Sequence, residues 1–195
     1  TVLYVEKDPV TLLGLRVRRH VVGTDPKADP LVYEQDDPSF YTTVDKTRDE
    51  RYVVIHASST VSSEMRYADA TDPKLAFRVF LPRERDHEYQ AEHLDGRWII
   101  RTNWRAKNFR LMAVRNGEES DRSKWRELLA HRDDALVNDF EAFHGFLAVD
   151  ERAGLGEVVG QGAPVDGDRP LERAEDVVGL PTAGPPVEPV DPSGQ

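Results

Sequence analysis

Tyr52-Val53-Val54-Ile55, Trp98-Ile99-Ile100 and Phe146-Leu147-Ala148-Val149 are one apolar phrase written three times, and Val2-Leu3-Tyr4-Val5 is an earlier copy of it. Tyr52 and Trp98 are 46 residues apart, and Trp98 and Phe146 are 48 apart. A period in that range marks a modular array, most often a β-propeller whose blades are four-stranded sheets.

The sequence around each phrase keeps the same period. An extended run precedes it: Phe40-Tyr41-Thr42-Thr43-Val44, Glu88-Tyr89-Gln90-Ala91-Glu92 and Val137-Asn138-Asp139-Phe140. Polar turns join run to phrase, at Thr47-Arg48-Asp49-Glu50, Asp95-Gly96 and His144-Gly145. Asp-Gly between two alternating segments is a strong hairpin signal, because both turn residues tolerate a left-handed backbone. A third strand follows in each unit: Leu15–Val21, Glu64–Ala68 and Phe109–Val114. In the last of these, Phe109, Leu111 and Ala113 share one face and Arg110, Met112 and Val114 the other. A fourth run closes the unit at Leu31-Val32-Tyr33, Phe77–Leu81 and Trp125–Leu129. Tyr33 to Phe80 is 47 residues and Phe80 to Leu129 is 49, so a second strand keeps the period independently.

The sequence therefore predicts an all-β chain, a partial β-propeller over 1–154. It divides into a partial blade at 1–38, complete blades at 39–83 and 84–130, and a partial two-stranded blade at 131–154. After Gly154 the alternation stops, and 155–195 is expected to be a disordered Pro/Gly-rich tail.

Composition narrows the function. The 195 residues are 38% hydrophobic and 32% charged, as in soluble globular segments, and no stretch approaches the roughly 20 apolar residues of a membrane span. There is no Cys, which excludes disulfides, thiolate metal sites and cysteine nucleophiles and fits a cytoplasmic location. A net charge of -10 argues against nucleic acid as a partner and suits cationic ligands such as basic peptides. The start, Thr1-Val2-Leu3-Tyr4, has no signal-peptide features and reads as a cut end.

Several phrases carry a resemblance. Glu6–Leu13 with Val17–Thr24, Leu31–Asp37, Tyr52–Ser58, Val79–Arg83, Asp86–Tyr89 and Lys107-Asn108-Phe109 together resemble the propeller of oligopeptidase B, in the prolyl oligopeptidase family of serine peptidases. The resemblance runs from Val2 to about Arg152. It implies a two-domain enzyme, with a seven-bladed propeller capping an α/β-hydrolase domain that carries Ser, Asp and His. It also implies cleavage of short peptides after Arg or Lys, with the propeller excluding folded proteins. This chain then corresponds to a middle section of the propeller. The family pattern calls for a strand to pair with Phe146–Val149, and the sequence after Gly154 departs from that pattern, as a frameshift, an assembly error or a truncated gene would make it.

No catalytic, cofactor-binding or metal-ligating residue is expected within the chain, and no cofactor. No Ser has Gly at both flanking positions of a Gly-x-Ser-x-Gly elbow, so Ser58, Ser59, Ser62 and Ser63 read as hairpin residues and His56 as a packed strand residue. Asp86-His87-Glu88 would place two carboxylates on one strand face and the imidazole on the other, which scatters a metal set. It reads better as a blade-to-blade crossing held by hydrogen bonds, as do Gln35-Asp36-Asp37 and His131-Arg132-Asp133-Asp134, which could alternatively line the propeller's central channel. Gly154-Leu155-Gly156 with Val158-Val159-Gly160 does not make a dinucleotide fingerprint. Arg101, Trp104, Arg105, Lys107 and Arg110 form a basic and aromatic patch of the kind that cation–π contacts build at a solvated edge.

The expected partners are the α/β-hydrolase domain of the intact enzyme and, through it, short basic peptides, with no nucleic acid and no membrane. Unpaired blade edges are expected to promote self-association. Two other readings compete: a self-contained β-repeat binding or scaffold protein, and a family member specific for cleavage after proline.

Overall fold

The computed structural model describes residues 1–153 and 156–164. Each copy of the apolar phrase becomes a strand in its own antiparallel sheet. The first sheet is β1 (Val2–Lys7), β2 (Gly14–His20) and β3 (Leu31–Glu34). The second is β4 (Tyr41–Lys46), β5 (Tyr52–Ser58), β6 (Ser63–Asp69) and β7 (Arg78–Leu81). The third is β8 (Tyr89–Leu94), β9 (Arg97–Thr102), β10 (Arg110–Arg115) and β11 (Arg126–Leu129). The fourth is β12 (Ala135–Phe143), β13 (Phe146–Ala153) and β14 (Gly156–Pro164).

Every sheet is a meander, because the connections are too short for crossovers and sequential strands pair. The phrases fall on β1, β5, β9 and β13, so these strands are equivalent, and the first sheet begins one strand later in the repeat than the others. The Asp95-Gly96 turn joins Leu94 to Arg97 with both turn residues at positive φ (51° and 78°), the twist that matches flanking strands. Phe109, expected as a strand residue, instead holds a left-handed conformation (φ 61°) just before β10.

The fourth sheet corrects the expectation for the region after Gly154. Residues Gly156–Pro164 form a third strand along β13, pairing from Ala153↔Gly156 to Phe146↔Pro164. The partial blade therefore has three strands, and the phrase at Phe146–Val149 has a partner. The expected disordered tail otherwise lies outside the described residues.

Two cores separate the sheets. Between the second and third lie Tyr52, Val54, Met65, Tyr67 and Phe80 against Tyr89, Trp98, Ile100, Met112 and Val114. Between the third and fourth lie Ile99, Phe109, Leu111, Ala113 and Leu128 against Val137, Phe140, Ala142, Leu147 and Val149. The third sheet is thus buried on both faces. This is why its strands read as continuous apolar runs, Trp98-Ile99-Ile100 and Leu111-Met112-Ala113-Val114, rather than as strict alternation. Trp98 anchors the first core, stacked on Tyr52 and edge-on to Tyr67 and Phe80 at centroid distances of 5.1–5.2 Å.

Candidate functional site

Among the described residues, the first strands of the second, third and fourth sheets, β4, β8 and β12, are edge strands with no outer partner in their own sheets. In a propeller such strands face the central channel. Together with residues of β5 and the β5–β6 hairpin they line a cleft of about 520 Å³. β4 contributes Thr43, Asp45 and Lys46, and β12 contributes the consecutive residues Asp139, Phe140, Glu141 and Ala142. Six carboxylates line the cleft (Asp45, Glu64, Glu88, Glu92, Asp139 and Glu141) against three cations, Lys46, Arg48 and Arg101.

The cations are already engaged. Arg101 stacks at 3.6 Å from the Phe109 ring centroid and donates its Nε–H to the Val137 carbonyl at 2.8 Å, tying the third sheet to the fourth. Burial pulls its pKa down, against the pull of Asp139 and Glu88. Arg48 stands on the β4–β5 turn. Its backbone N–H donates to Glu92 Oε1 at 2.8 Å, and its guanidinium meets Glu141 Oε2 at 3.0 Å. Burial pushes the Glu92 carboxyl above the ordinary range, although it accepts the N–H groups of Arg48 and His93. Glu64 is shared between Arg66 (3.0 Å) and Arg83 (3.8 Å). Burial also holds the His56 imidazole below its usual pKa, with Asp45 opposing.

Beside the cleft, polar side chains join the second and third sheets. His93, fully enclosed, places Nδ1 2.7 Å from Asp49 Oδ2, while Tyr52 and Trp98 pack edge-on against the ring. Burial keeps His93 below its ordinary pKa despite the Asp49 carboxylate. Burial alone would raise Asp49, but the bonds from His93, the Thr47 hydroxyl and the Arg51 N–H outweigh it and hold the carboxyl low. Asn116 donates to the Tyr52 hydroxyl at 2.6 Å and accepts from Trp98 Nε1 at 3.3 Å. The Tyr67 hydroxyl bonds to Glu119, and burial followed by that carboxylate raises its pKa.

Of the candidates singled out in the sequence, His56, Ser58, Ser59, Ser63, Glu88 and Arg101 line the cleft, and the others lie away from it. Ser59 donates to the Ser62 carbonyl, Ser62 Oγ donates to the Glu84 carbonyl, and Ser58 pairs with Ser63 across the β5–β6 hairpin. Asp86-His87-Glu88 is a crossing rather than a strand face. Asp86 is left-handed (φ 60°), Glu88 N–H donates to Asn103 Oδ1, and His87 turns inward. His87 Nδ1 faces the Arg122 guanidinium at 3.0 Å, and Nε2 faces Thr102 Oγ1 at 2.9 Å. A guanidinium can only donate, so Nδ1 accepts and the ring is neutral with its proton on Nε2. Burial first and then Arg122 lower its pKa accordingly.

The equivalent crossings are held in similar ways. Gln35 receives the Asp37 N–H, and Asp37 caps Ser39. Arg132 pairs with Asp134, and the Asn108 amide bridges the Arg132 and Asp133 carbonyls. None of these three crossings contributes to the lining of the acidic cleft except through Glu88. The basic patch divides as well: Arg105, Arg110 and Arg122 surround the Trp104 indole at 4.8–5.4 Å, Lys107 pairs with Asp133, and Arg101 joins the cleft. Gly154 and Leu155 lie outside the described residues, and Gly156–Gly160 belong to β14. The residues that line the cleft, Glu92, Glu141 and Arg48 above all, carry no motif. The clue available in sequence was an acidic residue on or just after the first run of the later units: Asp45, Glu88 and Glu92, and Asp139 and Glu141.

Comparison with known proteins places this geometry. The family model described as "Prolyl oligopeptidase, N-terminal beta-propeller domain" matches residues 1–180. The chain is 49% identical over 154 residues to dipeptidyl aminopeptidase BI of Pseudoxanthomonas mexicana, covering 78% of this chain and 21% of that protein. It is 29% identical over 94 residues to protease 2 of Moraxella lacunata, covering 48% and 14%. Among solved structures, oligopeptidase B from Leishmania major aligns with a TM-score of 0.78 at 25% identity, and oligopeptidase B from Trypanosoma brucei with 0.78 at 24%. Each alignment covers 85% of this chain and 23% of the other. The chain thus spans between 14% and 23% of the length of these relatives.

Proposed function

This chain belongs to the prolyl oligopeptidase family as part of its N-terminal β-propeller domain, and on that premise we propose that it forms the entry filter of an oligopeptidase B-like serine peptidase acting on short peptides at Arg or Lys. The bond chemistry belongs to an α/β-hydrolase domain carrying Ser, Asp and His, which is the partner of this propeller in the intact enzyme. The propeller restricts that active site to peptides short enough to pass it. The reading places the enzyme in the cytoplasm, consistent with a chain that has no Cys.

The observation that carries this reading is the cleft on β4, β8 and β12, where six carboxylates face three cations that are already paired or stacked. A partly enclosed surface of one sign concentrates ligands of the other and orients them on approach. Binding of a fluorophore-labelled Arg-containing tripeptide to the chain tests it. The expected result is saturable binding that weakens with salt, is reduced by Glu92→Gln, and is absent for an acidic tripeptide of equal length. Equal binding of acidic and basic peptides would refute the filter. On the same reading the chain hydrolyses no Arg or Lys ester, and serine-inhibitor-sensitive turnover would count against it.

A second reading concerns where the bond is cut. The 49% identical relative is named a dipeptidyl aminopeptidase, which favours release of dipeptides from a free N-terminus over internal cleavage. In the intact enzyme, comparing cleavage of the same basic peptide with a free and with an acetylated N-terminus separates the two. Exposed Val2 on β1, Leu12 in the β1–β2 connection and Val22 after β2, with β1 an edge strand among the described residues, favour self-association, which light scattering across a concentration series measures.

A further inference from the structure

Arg48 brings three sheets together through one residue. It belongs to the second sheet, its main chain is bound to Glu92 of the third, and its guanidinium is bound to Glu141 of the fourth, 93 residues along the chain. Phe143 of β12 supports the guanidinium from below, its ring centroid 5.1 Å from Cζ. The Arg48 charge is also near enough to Glu92 to favour its ionised form. Both members of the ion pair stay open to solvent, with 49% and 61% of their side chains exposed, so the pair closes over the cleft without being locked into a core.

We propose that Arg48 is an internal occupant of the acidic cleft, a guanidinium of the chain's own that an incoming cationic side chain must displace from Glu141, so that it sets how selectively the cleft takes basic peptides. The inference rests on the entry-filter reading and adds a specific residue to it. The chemistry is direct exchange. A carboxylate bound to one guanidinium accepts another at equal charge, and the aromatic face of Phe143 is available to whichever cation is seated. An exposed ion pair is weak and readily exchanged, which suits a gate and not a lock.

The test uses the full chain and two labelled probes, Gly-Arg-Arg amide and Gly-Ala-Ala amide. Arg48→Ala is expected to bind the basic probe about twofold to fivefold more tightly than the parent, the scale of one exposed ion pair, and to leave the neutral probe unchanged. Glu141→Gln is expected to weaken the basic probe and to remove the gain from Arg48→Ala when the two are combined. Arg48→Gln, which keeps a long polar side chain, gives the same result if Arg48→Ala disturbs folding, as circular dichroism would reveal. Unchanged or weaker binding of the basic probe by Arg48→Ala would overturn the inference while leaving the filter intact. So would equal tightening of both probes, which indicates simple widening. Failure of the parent and Arg48→Ala alike to bind the basic probe would overturn the filter and this inference together.

Discussion

Trp98 and Ile99 are neighbours on β9, point into opposite cores, and are both fully enclosed; in the first sheet Val17 is the only apolar strand side chain with that degree of enclosure. The two sheets come from the same repeat, yet different forces hold them. The third sheet has an apolar neighbour on each side, so hydrophobic burial dominates. The first packs on the second, and what surrounds its strands is mainly polar. Arg16 bridges Glu6 and Glu34, Arg18 also bonds to Glu6, and Asp29 collects the Tyr4 hydroxyl and His20. Its links to the second sheet are similar in kind: Arg66 over Tyr33 at 5.3 Å and Arg19 on the Pro73 carbonyl at 2.9 Å. A blade's stability is thus largely a property of its interfaces, as in other repeat architectures.

The largest test of this contrast is truncation within each sheet. Trp98→Ala is expected to cost about 3–5 kcal/mol, because it empties a site touched by Tyr52, Tyr67, Phe80 and His93. Val17→Ala is expected to cost about 2 kcal/mol. Urea unfolding midpoints measure both, and equal losses would abolish the distinction.

Next comes the seam between the first two sheets. A Cβ on Gly14 would lie 2.7 Å from the Thr42 carbonyl oxygen and 2.8 Å from Val5 Cγ1. Gly14→Ala is therefore expected to cost about 1–3 kcal/mol. It should raise amide exchange in β1 and β2 while leaving the tryptophan near-ultraviolet signal of the third sheet unchanged. Loss of that signal would mean that the sheets unfold as one body.

A smaller effect separates the sheets by pH. His56 and His93 on the second and third sheets, and His87 in the crossing between them, have folded pKa values below the ordinary value. The unfolded chain then takes up protons more readily, so stability is full above the unfolded value of about 6.5 and falls as pH drops below it, until the folded values are reached. The urea midpoint is expected to fall between pH 7 and 5, and less steeply in His87→Gln; a flat profile would refute neutral burial of these rings. The smallest effect belongs to the first sheet. Arg16→Gln should lower the midpoint only slightly, and 0.5 M salt should erase the difference, because its ion pairs are open to solvent.

Much of this architecture could be read from the sequence. The repeat gave β5, β9 and β13 directly, since an apolar phrase followed by a polar turn encodes a strand locally. β14 escaped because Gly156, Gly160, Gly162 and Pro164 carry no strand propensity of their own, and the order there comes from pairing with β13. Phe109 read as a strand residue because side-chain parity does not reveal a left-handed backbone. The acidic cleft was less legible still. Arg48, Glu92 and Glu141 meet only when three sheets are set side by side, and no local pattern records a contact across 93 residues. His87 was visible as a candidate, but its neutral state depends on Arg122, which folding brings to it.

The meander of each sheet also sets the order of events during synthesis. All strand pairing is between chain neighbours, so the second sheet can form as soon as β7 leaves the ribosome. Its apolar face, with Tyr67 and Phe80, must then wait for the strands that cover it; Tyr89 on β8 arrives first, to stack on Phe80, and Trp98 follows on β9. At about 5–20 residues per second, completing the third sheet takes a few seconds, during which that face lies open. The aromatic cluster that later gives the chain its firmest core is, for that interval, its most aggregation-prone surface.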